Sequence, residues 1–277
     1  MQHKWSEKLW TGLFWFSSAV ITLMLVSIIA YIVYRGIEVV NWDFIFTEPT
    51  RAGKEGGIST TIIGTLYLTI MSLVMSVPVG VATAVYLEEY AKKSSRFAQL
   101  INLTNDTLAG IPSILFGLFG FVFFVVFLQM GWSIISGSMT LALMVLPTIT
   151  RTAQEAIKSV PAEYLENSLA LGAGRWQSIK RVILPPALPG IVTGIILAIG
   201  RAVGETAAVL LTAGSSLNMP MSLNDPTRAM SVHLYILATE GLSLERAFGT
   251  AFLVIVLILI INSLANTTLK HWSEARF

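Results

Sequence analysis

The sequence contains no cysteine. Disulfides, thiolate metal sites and cysteine nucleophiles are therefore excluded. Charge is scarce as well: 12% of the 277 residues are Asp, Glu, Lys or Arg, against roughly 25% in an ordinary soluble domain. The formal net charge is only +2, and no basic stretch alternates with aromatics as a strand-binding groove requires, so no nucleic-acid partner is expected. The three histidines, His3, His233 and His271, are too scattered to offer metal-ligand spacing. No GxxxxGKS or GxxxxGKT element occurs, so the chain has no P-loop for ATP. Internal repeats, low-complexity tracts and linkers are also missing, which leaves one polytopic unit over residues 1–277.

What is plentiful is apolar length. The chain is 54% hydrophobic, and a helical crossing of a bilayer needs about 20 apolar residues. The uncharged run from Leu9 to Tyr34 exceeds a signal-peptide core of about 7–15 residues and is read as a retained span. Further uncharged runs cover Gly56 to Leu87 and Thr107 to Thr150, the latter long enough for two crossings with a turn at Gly131 and Ser136-Gly137. A single tilted helix with a re-entrant piece also fits that run. The expectation is an all-α membrane protein with six transmembrane helices, at about 13–34, 60–86, 108–130, 134–151, 187–213 and 247–269.

With six spans, the tails and the second and fourth connections share one side. That side holds Lys4, Lys8, Lys92, Lys93, Arg96, Arg151, Lys158, Arg175, Lys180, Arg181, Lys270 and Arg276. The other side holds Arg35, Arg51, Lys54, Arg228 and Arg246, while Arg201 lies within a span. Twelve against five predicts cytoplasmic termini. On the opposite side, residues 36–58 form an external loop whose Trp42 and Phe44 are expected at headgroup level.

A polar island interrupts the apolar runs at about 159–186. Pro161 suits the first turn of a helix, and Leu165, Leu169 and Ala170 form an apolar stripe beside Glu163 and Glu166. Gly172 and Gly174 can take the left-handed geometry that ends a helix. A second helix, Arg175 to Leu184, is expected to stop at Pro185-Pro186. By periodicity alone, this pair is equally a surface element lying in the headgroup plane. The spacing of Glu166, Gly172 and Leu184-Pro185 resembles the EAA loop of ABC importer permeases, through which an ATPase subunit moves the membrane domain. Asn167 and Ser168 replace that motif's alanines, and Val182 stands where isoleucine is usual. The resemblance implies an ATPase-docking corner of Glu166, Ala170, Leu171, Gly172, Ala173, Gly174 and Arg175.

The fifth run carries GRAVGETAAV, with Arg201 and Glu205 among apolar residues. A charge at a helix centre costs on the order of 2.5–3.5 kcal/mol on insertion scales. Four residues apart on one helix face, the two would partly neutralise each other, although Arg before Glu is the weaker order. A guanidinium in a central cavity can instead hold an oxyanion by bidentate hydrogen bonds, and a buried structural pair is the competing reading. Pro78 and Pro147 interrupt spans, and Pro112-Ser113 stand at a helix start whose N–H groups could face an anion.

The stretches GTLYLTIMSLVMSVPVGVATAVYLEEYA, LAGIPSILFGLFG, the polar island and GRAVGETAAVL together resemble the A-type permease subunits of bacterial phosphate-specific ABC importers. The resemblance implies a type I importer (MetI-like) fold in a bacterial inner membrane. It also implies a C-type permease partner, two ATPase subunits and an external phosphate-binding protein. The chain is then no enzyme: ATP and magnesium belong to the ATPase partner, and no cofactor is expected here. Arg201, Glu205, Thr206 and Ser113 are the expected substrate-pathway residues. A permease for molybdate or sulfate, or a carrier working without ATP, are the alternatives.

Overall fold

The computed structural model describes the backbone of residues 2–92 and 94–274, and the side chains of 10–92, 94–265 and 267. Lys93 and Arg276 lie outside the described residues, as do the side chains of Lys4, Lys8, Lys270, His3 and His271. In chain order the helices begin with α1 (Gln2–Ile37) and the short α2 (Trp42–Phe46). A small antiparallel hairpin follows, β1 (Pro49–Thr50) with β2 (Glu55–Gly56), Pro49 opposite Gly56. Next come α3 (Ser59–Val85), α4 (Arg96–Gly110), α5 (Ser113–Gly120) and α6 (Ile134–Lys158). The polar island supplies α7 (Ala162–Ala170) and α8 (Arg175–Ser178). Last are α9 (Leu184–Gly204), α10 (Ala207–Thr212), α11 (Met230–Thr239) and α12 (Leu244–Glu274).

Among the described residues five continuous helical stretches are long and apolar enough to cross a bilayer: Trp10–Ile37, Ser59–Tyr90, Ile134–Lys158, Arg175–Gly204 and Leu244–Ala265. The sixth crossing differs from expectation. The span placed at 108–130 begins only at Ser113, because Pro112 holds Ile111 in extended backbone (φ −74, ψ 129). Its helix runs through a π turn to Phe127, about 22 Å at 1.5 Å per residue. That falls short of a hydrocarbon core of about 30 Å. The residues before it form α4, bent away from it by 104°, where the sequence suggested only a connection. The turn before α6 lies at 128–133, so Ser136 and Gly137 are already helical. Ser133 caps α6 by accepting from Ser136 N–H (3.2 Å). The fourth span also outruns its expected end at 151, since Thr152 to Lys158 continue the same buried stripe.

Two proline predictions need correction. Both α3 and α6 continue through Pro78 and Pro147. The helix starting at Arg175 does not stop at Pro185-Pro186 but runs on into the fifth span. A π turn over Ile179–Ile183, where Leu184 N–H reaches the Ile179 carbonyl, widens the ladder ahead of the two missing N–H groups.

The centre of the molecule is α3 against α6, with α9 on the other flank of α6. Leu68, Leu141, Met144, Val145, Ile149, Ala198 and Ala202 fill it. Small residues set the spacing, as in other bundles packed without water to drive them together. A Cβ at Gly190 would lie 2.6 Å from the Ala156 Cβ, and one at Gly194 would overlap Thr152. These contacts fix α9 antiparallel to α6. The outer helix α1 lies along α12, with Tyr31 edge-on to Phe248 at 5.5 Å.

The helices separate two faces. One carries the hairpin and the 214–229 segment, whose Asp225 and Leu223 carbonyls receive the first N–H groups of α6. The other carries α4, α7 and α8. The described ends of α1 and α12 reach that same face, because Gly36 and Tyr31 meet α12 near its start. Trp42 is exposed and stacks on Phe46, as a headgroup-level ring can. Phe44 is instead buried under the hairpin with Ile58 and Met230, and Arg246 covers its ring.

Candidate functional site

Two constellations stand out. The first is the elbow between α7 and α8. Helix α7 ends in the double hydrogen bond of a left-handed cap, Gly172 N–H to the Leu169 carbonyl (2.9 Å) and Ala173 N–H to the Ser168 carbonyl (3.2 Å). Gly172 takes φ +85, which this cap requires. A hydroxyl pair, Ser168 with Ser178 at 2.8 Å, closes the elbow from inside. Leu165 points into the core formed by Ala84, Val85, Ile157, Ile179 and Ile183. The opposite side is bare: Glu166, Ala170, Gly172 and Gly174 are exposed, and Leu171 is 89% exposed. An apolar side chain that far into solvent at a rigid corner is a plug without its socket. Ala173 is half-buried. Arg175 departs from the others, because its guanidinium donates to the Glu89 carbonyl and lies over the Tyr90 ring, 5.3 Å from Cζ to centroid.

The second constellation is a break in the fifth span. The helix expected over 187–213 is interrupted at Glu205 (φ −73, ψ 129) and Thr206 (φ −114, ψ −56). This overturns the shared-face pairing of Arg201 with Glu205. The Glu205 carboxylate turns forward instead, accepting from Ala208 N–H (3.2 Å) at the start of α10, where an anion is favoured. Its carbonyl, freed from the helix ladder, accepts from Ser231 Oγ on α11 (2.6 Å). Arg201 thereby loses its local counter-ion. Among the described residues the ion pairs are Arg51–Glu55 and Arg151–Asp106, and Arg201 has no hydrogen-bond partner.

Position makes that guanidinium conspicuous. Gly194 lies against Thr152, so Arg201, about 10 Å further along α9, is level with the middle of α6. It stands one turn beyond Leu197, which is 56% exposed, and beside Gly200 and Gly204, around which no atom lies within 4 Å of an added Cβ. This face of α9 is open within the chain. Helices α5 and α10 run alongside in the same direction, with a Cβ at Gly117 lying 2.8 Å from Ala208 Cα. By that register Ser113, four residues before Gly117, falls level with the end of α9 near Gly204, about 4.5 Å ahead of Ala207. Glu205 and Thr206 form the break one turn beyond Arg201, and Ser113 starts α5 at about the height of that break.

A third cluster, on the hairpin face, has no signature in the sequence. His233 is fully buried, and Gly53 passes over its ring closely enough that a Cβ would lie 2.6 Å from Cε1. Arg228, 9% exposed, donates to the Ser215 carbonyl (2.9 Å) and faces His233 Nδ1 at 3.5 Å. Arg246 donates to the Gly56 carbonyl. Burial, then Arg228 and Arg246, pull the His233 imidazole down to about 4, and burial lowers Arg228. Its members are 180 positions apart in places, so no local pattern could expose them.

Similarity to known proteins agrees with this geometry. The profile of the family described as "binding-protein-dependent transport system inner membrane component" matches residues 76–273. A probable ABC transporter permease protein of Bacillus subtilis, YqgI, is 33% identical, covering 96% of both chains. The phosphate transport system permease protein PstA of Haemophilus influenzae is 32% identical over 97% of this chain and 95% of its own. PstA 1 of Mycobacterium tuberculosis is 34% identical over 90% and 84%. Among solved structures, a bacterial alginate ABC transporter superposes with a TM-score of 0.66 at 16% identity, covering 91% of this chain and 93% of the other. The methionine transporter MetNI gives 0.63 at 19% identity over 78% and 94%. These likenesses show the fold, the type I importer arrangement that the sequence led us to expect. The chain belongs to the binding-protein-dependent transport system inner membrane components, multi-pass permeases of ABC importers.

Proposed function

We propose that the chain is one permease subunit of an ATP-driven importer for inorganic phosphate. The observation that carries this reading is Arg201, a cation at mid-span on the open face of α9 with no partner among the described residues. An unpaired charge at that depth is expensive and marks a solute path, and a planar guanidinium fits two oxygens of a tetrahedral oxyanion. The relatives named as phosphate transport permeases supply the identity of the anion and disfavour molybdate or sulfate.

In this scheme Arg201 neutralises the passing phosphate, and Ser113 and Thr206 offer hydroxyls near the break one turn further on. Glu205 keeps α10 in place by capping it, and its negative charge one turn from Arg201 keeps the anion weakly held, so that it can leave. The open face of α9 is completed by a C-type permease. The exposed corner of Glu166, Ala170, Leu171, Gly172, Ala173 and Gly174 seats in one of two ATPase subunits, which hold ATP and magnesium. A phosphate-binding protein delivers solute to the hairpin face, and the surplus of Lys and Arg puts the elbow and both termini in the cytoplasm.

The test is Arg201→Gln in the assembled complex. Phosphate uptake is expected to collapse while the complex still forms, and arsenate but not sulfate should compete in the wild type. Loss of assembly would return Arg201 to a structural role, and equal competition by sulfate would move the assignment to another oxyanion.

A further inference from the structure

The elbow must move the spanning helices, yet α7 buries no residue of its own. Its attachments to the body are therefore few. Leu165 enters the core between α3, α6 and the π turn, and the Ser168–Ser178 pair binds the elbow only to itself. Besides the helix that runs from Arg175 into the fifth span, a further link, this time to α3, is polar. Arg175, the first residue of α8, reaches across to the last turn of α3.

That turn is built to receive it. Tyr86–Tyr90 form a π turn, with Ala91 N–H bonded to the Tyr86 carbonyl (2.9 Å), and among the described residues no helical N–H reaches the carbonyls that follow. The Arg175 guanidinium fills the Glu89 carbonyl, sits at the negative end of the α3 dipole, and covers the Tyr90 face. One planar, delocalised cation meets three demands that a lysine ammonium meets only in part. At its far end α3 is fastened in turn, since Thr65 Oγ1 accepts from Met230 N–H (2.8 Å) at the start of α11. The next residue, Ser231, holds the Glu205 carbonyl at the break (2.6 Å).

We propose that Arg175, seated on Tyr90 and the Glu89 carbonyl, is a strut that carries displacement of the docking elbow into α3. Arg175 is a positioning residue, acting within its own chain and not as a contact to the ATPase. The inference rests on the reading that ATPase partners move the elbow. Leu165 transmits push through packing, whereas the guanidinium also transmits pull, because it is hydrogen-bonded to the α3 backbone. Motion of α3 then reaches Met230 and the Ser231–Glu205 contact beside Arg201.

The experiment uses the complete complex, both permeases with the ATPase subunits, in proteoliposomes with phosphate-loaded binding protein. Phosphate imported per ATP hydrolysed is measured alongside complex yield. Tyr90→Leu keeps apolar bulk but removes the ring face, and Tyr90→Phe keeps the face. With Tyr90→Leu, import per ATP is expected to fall about two- to fivefold, the scale of a cation–π contact at an exposed site, with yield and basal hydrolysis unchanged. Tyr90→Phe should behave as wild type, and Arg175→Lys should fall between. A double-mutant cycle of Tyr90→Leu with Arg175→Ala should show strongly non-additive losses. Wild-type coupling in Tyr90→Leu, additive losses in the cycle, or loss of the assembled complex with Tyr90→Phe each overturns the strut. A wild-type complex whose hydrolysis ignores phosphate-loaded binding protein overturns the importer reading itself, and the strut with it.

Discussion

Substitutions at Gly172 separate what the backbone needs from what a partner needs. The residue sits at φ +85, where an ordinary L residue is destabilised by roughly 1–2 kcal/mol, while Asn and Asp adopt the region more readily. An added Cβ meets no atom within 4 Å, so no steric term inside the chain adds to that figure. Gly172→Ala should thus weaken the elbow by about 1 kcal/mol, a factor of about five in its population. Gly172→Asp should disturb the backbone less but carries bulk and charge to the corner. The two effects rank the variants oppositely. For an elbow free in solvent, Ala does at least as much harm as Asp. For an elbow seated in an ATPase groove, Asp abolishes coupling, Asn impairs it strongly, and Ala lowers it only several-fold. We expect the second order, read as hydrolysis stimulated by phosphate-loaded binding protein, with membrane insertion unchanged in all three. Import at the normal rate by Gly172→Asp, or equal damage from Ala and Asp, would refute the docking argument.

Removing the cap with Glu205→Ala should destabilise α10 by about 0.5–2 kcal/mol, seen as a lower unfolding temperature in detergent, whereas Glu205→Gln keeps an acceptor and most of the stability. Lowering pH should loosen the hairpin face through His233. Its folded imidazole is held at about 4 against an ordinary 6.5, so between about 6.5 and 4 only the unfolded form takes the proton. Stability then falls with falling pH across that window by up to about 3 kcal/mol and levels off below it. Hydrogen exchange at residues 49–58 would follow the decline, and a profile unchanged by His233→Gln would count against it. Gly194→Leu should force α9 off α6 at Thr152 and cost on the order of 1–3 kcal/mol, with sharply reduced yield in the membrane. By contrast Asp106→Ala should shift stability by less than about 1 kcal/mol, because its pair with Arg151 is half exposed.

The spans were legible because hydrocarbon thickness dictates apolar length, and the elbow because Pro161, Gly172 and the flanking charges punctuate it. Other features lay beyond local pattern. The break at Glu205 leaves no mark in GRAVGETAAV, since helical periodicity runs straight through it. What opens it is tertiary: Ser231 takes the carbonyl and Ala208 the carboxylate. Pro185-Pro186 looked like a terminus because a π turn that accommodates two prolines has no sequence signature. Helix α4 was missed because Arg96, Asn102, Asn105 and Asp106 break its apolar stripe. Those polar residues are nevertheless used, with Asp106 on Arg151 and Asn102 on Gln154. The inward turn of Arg175 depends on Tyr90, which lies 85 positions earlier in the chain.

The interruption at Glu205 and Thr206 also bears on how cheaply the molecule bends. Flexing an intact rod stretches its ladder of backbone hydrogen bonds, and the resistance grows with the angle. Here the Glu205 carbonyl at the joint already stands outside that ladder, satisfied sideways by Ser231. The segment beyond, α10 leaning on α5, can therefore tilt against α9 like a door on a pin. Rotation is opposed by the buried packing of Ala208, Val209 and Thr212 and by the Ser231 contact, restraints that can give without unwinding either leaf.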